Sequence, residues 1–285
     1  VVNDMETTLK FKKNESFYIR DGWFEKAINT IEENPKINIF AKTNGTLYLG
    51  IGTNMVKGLR YWLQASKIID STSKNTSLSS FGKLLYQYDK YLESSFSWFL
   101  IHFFLCTDEI QVPVFYGAFN SDLKTFTKND MINCLTEIYS IDGYTAKKEY
   151  IDDDVGVFLK SYLAEDTIEN PEDNYCCPLA NLKLLNKNKD KYTKTRPSYS
   201  LLSYLIVYFS LASRYHFEPF NIEDSIFDLK SPCLLFNLDK NSYLQYLDEA
   251  KRNGLITINK TAGLNTVYFD KKLNLTDLFS EYFGG

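Results

Sequence analysis

Apolar positions along this chain recur in two rhythms, one of three and four residues and one of two, and the switches between them mark its elements. Trp23, Phe24, Ala27, Ile28 and Ile31 share one helical face, so residues 21–31 predict a helix capped by Asp21 and halted at Asn34-Pro35. Asn44-Gly45 reads as a turn and 47–50 as a short strand. From Gly50 a longer helix is expected to about Asp70, with Met55, Val56, Leu59, Trp62 and Leu63 on its apolar side. A strand over 75–78 and a helix capped by Ser80 through Leu85 follow. Helix, short strand, second helix and a β-ribbon, in that order, is the plan of a winged helix.

Residues 93–106 predict an apolar helix, 112–119 an extended run, and 127–139 and 146–163 two further helices. The stretch 164–175 is acidic, contains Pro171 and reads as an exposed loop. Residues 182–195 predict a hairpin with a basic tip around Lys187 and Lys189. Arg196-Pro197 marks a boundary. Beyond it 199–214, 221–227 and 240–253 predict helices, the last stopped by Gly254, and 255–258 with 266–269 a hairpin around 261–264. The expected fold is mainly α with small β-hairpins, an α+β chain of tandem winged-helix-like modules. Its segments are 1–90, a DNA-binding module, 91–196, a central helical module with a candidate second wing, and 197–285, a C-terminal winged-helix-like module.

Composition narrows this picture. With 16% aromatic residues the core should pack around rings, and 13 Gly with 7 Pro among 285 residues argue against a turn-rich all-β fold. The net charge of -4 excludes a generally basic nucleic-acid binder, so any DNA contact must come from a local patch. Cys106, Cys134, Cys176, Cys177 and Cys233 contain no C-x-x-C, and His102 and His216 are the only histidines. No structural zinc site can be drawn from them, and reduced thiols in a cytoplasmic setting are expected. The polar start predicts no leader, and the apolar run 96–106 falls short of the ~20 residues that span a bilayer, so no membrane contact is expected.

Five groups of residues could carry chemistry. Thr53, Asn54, Lys57, Arg60, Gln64 and Lys67 share the polar face of the second helix, where Lys57 and Arg60 could meet phosphates or a guanine edge and Asn54 an adenine. Gly50-x-Gly52 would leave backbone N–H groups free for an anion, although the remainder of a nucleotide motif is missing. A merely solvated helix face is the competing reading. Glu15 and Arg20 could form a catalytic or phosphate-binding pair or a structural ion pair. Asp152, Asp153 and Asp154 are a compact carboxylate run with the look of a Mg²⁺ or Mn²⁺ site, with Asp89 or Glu93 as a distant partner. Successive helical residues point about 100° apart, however, so the three cannot all bind one ion, and a helix-start cap is the alternative. His102, in an apolar helix, reads as a buried hydrogen-bonded group before a general base. Lys187, Lys189, Lys191, Lys194 and Arg196 could track a DNA backbone or simply be solvated.

Several segments together resemble a bacterial family, the domain of unknown function 4007. They are Phe11, Asn14, Glu15, Phe17, Arg20, Gly22 and Trp23; Leu49, Gly50, Gly52, Asn54, Met55, Val56, Arg60, Tyr61 and Trp62; and Asp89, Tyr91, Leu92, Glu93, Trp98 and His102. Further along come Asp153-Asp154-Val155, Cys177-Pro178-Leu179, Ser231-Pro232 with Phe236, and 261–264. The family pattern has His at the position of Asn14 and Gly at that of Cys233. The resemblance implies a DNA phosphorothioation and anti-phage defence setting, with ATPase and sulfurtransferase-like partners and double-stranded DNA as ligand. A component of the single-strand form of that system resembles a DNA-nicking endonuclease, so nicking is one expected activity. A non-catalytic adaptor bridging the modification enzymes is the other.

Overall fold

In the computed structural model, which describes residues 8–41, 43–71, 76–141, 144, 146–163, 176–261 and 264–284, helices dominate and small antiparallel sheets punctuate them. The first helix, α1 (Trp23–Glu33), buries Trp23, Phe24, Ala27, Ile28 and Ile31, the stripe visible in the sequence. Its N-cap is Gly22, at a φ of 74°, rather than Asp21. The expected turn and strand at 44–50 are instead one helix, α2 (Asn44–Leu49), closed by Gly50 at a φ of 68°. Close packing explains the difference: a Cβ on Gly45 would fall 2.4 Å from Val56 Cγ1, so glycine here lets α2 approach its neighbour and marks no turn.

That neighbour, α3 (Thr53–Ala65), is shorter than the expected 50–70 helix. The chain reverses at Lys67, φ 59°, into β1 (Ile69–Ser71), which pairs with β2 (Thr76–Leu78). Ser79, not Ser80, then caps α4 (Ser80–Tyr88), accepting from the Gly82 N–H.

Central to the molecule is α5 (Ser95–Thr107), which buries residues around its whole circumference. A helix apolar on all sides is stable only when covered on all sides. The expected extended run 112–119 is the helix α6 (Pro113–Asn120), begun by Pro113. Every residue from Pro113 to Phe119 is buried, so its polar-apolar pattern carries no period to betray the helix.

After β3 (Thr125–Phe126) come α7 (Lys128–Ile141) and α8 (Lys148–Tyr162). A short 3-10 helix, Pro178–Leu182, leads into the expected hairpin, β4 (Leu185–Asn188) and β5 (Lys191–Lys194), in a sheet ordered β3-β5-β4. The last third runs α9 (Tyr204–Tyr215), β6 (Phe220–Asn221), α10 (Ile222–Ser225), α11 (Pro232–Leu235), α12 (Lys240–Arg252), β7 (Ile256–Thr261) and β8 (Leu264–Phe269). Its sheet is ordered β6-β8-β7. Finally α13 (Leu275–Phe283), opened by an Asn274–Asp277 capping box, packs back on α4. One apolar core runs from Leu9 to Phe279 through all of these elements. The acidic stretch 164–175 and the turn residues 262 and 263 lie outside the described residues.

Candidate nucleic-acid interface

The polar face of α3 divides into two parts. Thr53, Asn54 and Lys57 are exposed at its start, where Gly52 is the N-cap with no side-chain hydrogen bond, and Lys57 Nζ lies 3.4 Å from Asn54 Oδ1. Arg60 and Gln64 are half-buried, and the Arg60 guanidinium sits 5.9 Å from the Phe40 ring centre. Lys67 leaves this face because α3 has already ended. Its Nζ bonds Asp108 Oδ2 at 2.5 Å. The opposite sides of α3 are clamped: Tyr61 Oη donates to the Gln111 carbonyl and Trp62 Nε1 to that of Phe17. Among the residues of this face on α3, Thr53, Asn54 and Lys57 in its first turns are the exposed ones.

The Phe17 contact belongs to an irregular segment, 11–17, that joins α3 to α8. Asn14 is buried in it, its carbonyl so near Gly58 that a Cβ there would fall 2.8 Å away. Lys12, Glu15 and Ser16 all adopt left-handed backbone angles, a conformation disfavoured for residues with a Cβ. Asp154 is what this loop wraps: its carboxylate accepts from the Lys12 N–H and from Asn14 Nδ2, each at 2.8 Å. Burial raises the Asp154 carboxyl to about 6, against the lowering effect of those two donors. Asn14 thus holds the Asp154 side chain.

Asp152 and Asp153 point elsewhere, to Lys128 at 2.7 Å and Lys12 at 2.6 Å. All three carboxylates lie inside α8, which starts at Lys148, so they do not form a helix-start cap. Among the described residues no three His, Cys, Asp or Glu side chains are arranged to hold a metal ion. With one carboxylate turned inward and two paired to lysines, the Asp152–Asp154 run does not fit a magnesium site. Asp89 caps a turn, accepting from the Glu93 and Ser94 N–H groups. Glu15 is exposed, and the Arg20 guanidinium lies over the rings of Phe17 and Trp23.

His102 is fully buried on α5 and pushed down to about 4 by that burial. Nε2 faces the Leu235 carbonyl at 2.8 Å, which can only accept, so Nε2 carries the proton and Nδ1 accepts from Tyr162 Oη at 2.7 Å. A neutral, doubly bonded imidazole of this kind holds the core together.

The basic hairpin turns out to be one wall of something larger. Lys187 and Lys189 face a groove of about 1080 Å³ whose other wall is α8 and the 3-10 helix. Lys160 and Lys183 come from that wall, Lys128 from the start of α7 and Arg196 from the hairpin base, and among the described residues no carboxylate is in the lining. Lys128 is paired to Asp152 and Arg196 to Asp239, at 2.6 Å for the latter. Lys194 turns away: its Nζ donates to the Ser121 carbonyl, and burial lowers its ammonium to about 8. Lys191 is exposed on β5. Sequence spacing could not reveal Lys128 and Lys160, which stand on α7 and α8, far from the hairpin in the chain, whereas Lys183 lies only four residues before Lys187.

The chain matches a family model, described as protein of unknown function DUF4007, over residues 11–283. The protein belongs to the DUF4007 family. Its fold is shared with two crystal structures of SspB. A magnesium ion-bound SspB superposes with a TM-score of 0.84 at 21% identity, covering 96% of this chain and 88% of that one. A second SspB structure gives 0.82 at the same identity and coverage. No curated protein matches the chain. Among the described residues, no helix of this DUF4007 protein is long and apolar enough to cross a membrane.

Proposed function

We propose that this DUF4007 protein is a cytoplasmic DNA-binding component of a DNA phosphorothioation and anti-phage defence system, built from winged-helix-like modules. The observation that carries the reading is a plan used twice. In the segment 91–196, after α5, the order is α6-β3-α7-α8, the 3-10 helix and the hairpin β4-β5, with the first strand bonded to the last. The segment 197–285 follows a similar order with one more short α-helix, α9-β6-α10-α11-α12-β7-β8, again with the first strand bonded to the last. The first ninety residues hold the abbreviated form, α1-α2-α3-β1-β2. In such modules the helix before the hairpin meets duplex DNA, which selects α3 and α12, since α8 lines a groove with its own hairpin.

The family's setting supplies the remainder of the reading: ATPase and sulfurtransferase-like partners, and SspB, whose magnesium-bound structure has this fold. A gel shift with duplex DNA tests it. Binding should weaken steeply with salt, and Lys57→Glu with Arg60→Glu should abolish the shift if α3 reads the duplex. An unaltered shift removes that face from the interface, and failure of the intact protein to shift either duplex or single-stranded DNA removes the reading.

Strand nicking is the finer version of this proposal. Plasmid relaxation with Mg²⁺ or Mn²⁺, lost on chelation, would support it. Because Asp152, Asp153 and Asp154 are engaged with lysines and the 11–17 loop, no cleavage step is assigned to them. The same engagement, with the net charge of -4, favours the second reading, a non-catalytic adaptor between modification enzymes. Intact supercoiled plasmid together with a stable complex with an ATPase or sulfurtransferase partner would select the adaptor.

A further inference from the structure

We infer that the groove between α8 and the β4–β5 hairpin takes a single-stranded segment of nucleic acid, an inference that rests on the DNA-binding role proposed above and names its substrate. Charge comes first. Lys160, Lys183, Lys187 and Lys189 face one volume, and among the described residues none of the four has a carboxylate partner. Four ammonium groups held around one cleft in an acidic protein repel each other, and a polyanion relieves that repulsion.

Shape and chemistry then choose among polyanions. A duplex is a convex rod with its bases stacked inside, and it is read by protein elements that protrude into its grooves. A concave site cannot protrude. Between the lysines lie Leu163 and the Tyr192 ring, both half-exposed, backed by the buried Leu159, Tyr162, Ala180 and Leu185. Among the described lining residues the Tyr192 ring is the one that can meet the face of an unpaired base, with Leu163 beside it, while the lysine walls follow the backbone. Asn186 and Thr195 add polar groups at the hairpin wall.

The wall is also preformed. Asn237 Nδ2 donates to both the Leu184 and Thr195 carbonyls at 2.9 Å, tying the two ends of the hairpin together. The Thr195 N–H bonds the Leu184 carbonyl at 3.0 Å, and β5 is pinned on its other side by β3. Little ordering is left for a bound strand to induce.

The test uses the full chain and fluorescence anisotropy with three probes: a short oligothymidylate, the same strand annealed to its complement, and an abasic strand of equal length. The plain strand should bind more tightly than the duplex, and about tenfold more tightly than the abasic strand. Lys160→Glu with Lys183→Glu should weaken single-strand binding at least about tenfold and shrink the log–log salt slope by about 0.7 for each lysine removed. Should that pair fail to fold, Lys187→Ala with Lys189→Ala on the exposed wall carries the same slope measurement. Equal affinity for plain and abasic strands, a preference for duplex, or an unchanged salt slope in the groove variants would each overturn the inference. If duplex binds through Lys57 and Arg60 while no single strand binds, the groove assignment falls and the DNA-binding role stands. If no probe binds, both fall.

Discussion

Asp154 gathers residues that lie 140 or more positions away in the chain: it accepts from the Lys12 N–H and the Asn14 amide, and its neighbour Asp153 pairs with Lys12. The exposed Asp153–Lys12 pair contributes little by itself. The two hydrogen bonds to a buried carboxylate matter more, because removing it leaves donors without an acceptor. Asp154→Ala should therefore cost about 1–3 kcal/mol, read as a lower urea midpoint, and should speed amide exchange at Lys12. Unchanged exchange there would mean that Gly58 and Trp62 alone hold the loop. No periodicity links Asn14 to Asp154, so this contact was illegible from spacing. What the sequence did offer was the family pattern, which singled out both positions without saying that they touch. The compact look of Asp152–Asp154 misled for a related reason: successive helical residues diverge, and here each carboxylate finds a different partner.

At the scale of elements, α13 shows how the end of the chain completes its beginning. Phe279 meets Phe81 and Tyr88 of α4 and Phe96 of α5, with ring centres 5.6–6.1 Å apart. Truncation of a fully buried phenylalanine of this kind costs about 3–5 kcal/mol. Phe279→Ala should lower the urea midpoint accordingly and expose α4 to proteolysis. A loss below about 1 kcal/mol would show that α13 is an appendage to the core. Elements with one buried and one wet face were legible in advance. The stripe of α1, the amphipathic α3 and α12, and the β4–β5 and β7–β8 hairpins all follow their patterns. What failed were α2 and α6. The first hides a glycine chosen for close packing, and the second is buried on every side, so β-branched and aromatic residues there resemble a strand. The groove was half legible: its hairpin lysines, Lys183 among them, cluster in sequence, whereas Lys128 of α7 and Lys160 of α8 join them only through the packing of the fold.

Across the whole molecule, two buried titrating groups pull stability in opposite directions over one pH range. His102 falls from its ordinary 6.5 to about 4, so between those values the unfolded chain binds a proton that the folded protein refuses. Its contribution is complete above pH 6.5 and is lost as the pH falls toward 4. Asp154 rises from 3.8 to about 6, so between those values the folded protein holds the extra proton. That contribution is present below pH 3.8 and is lost as the pH rises through about 6. Each shift corresponds to roughly 3 kcal/mol at full extent, so the two largely offset one another across the shared range. Removing either should unmask the other. His102→Gln should lower stability at every pH through lost packing, yet its remaining stability should increase on acidification from about pH 6.5 to about pH 4.5. Asp154→Ala should do the reverse, losing stability over the same interval more steeply than the unmodified protein. Urea melts of all three proteins at both pH values decide it, since the slopes and not the absolute stabilities carry the answer. Parallel slopes would mean that neither group titrates in the folded protein as its burial and hydrogen bonds require.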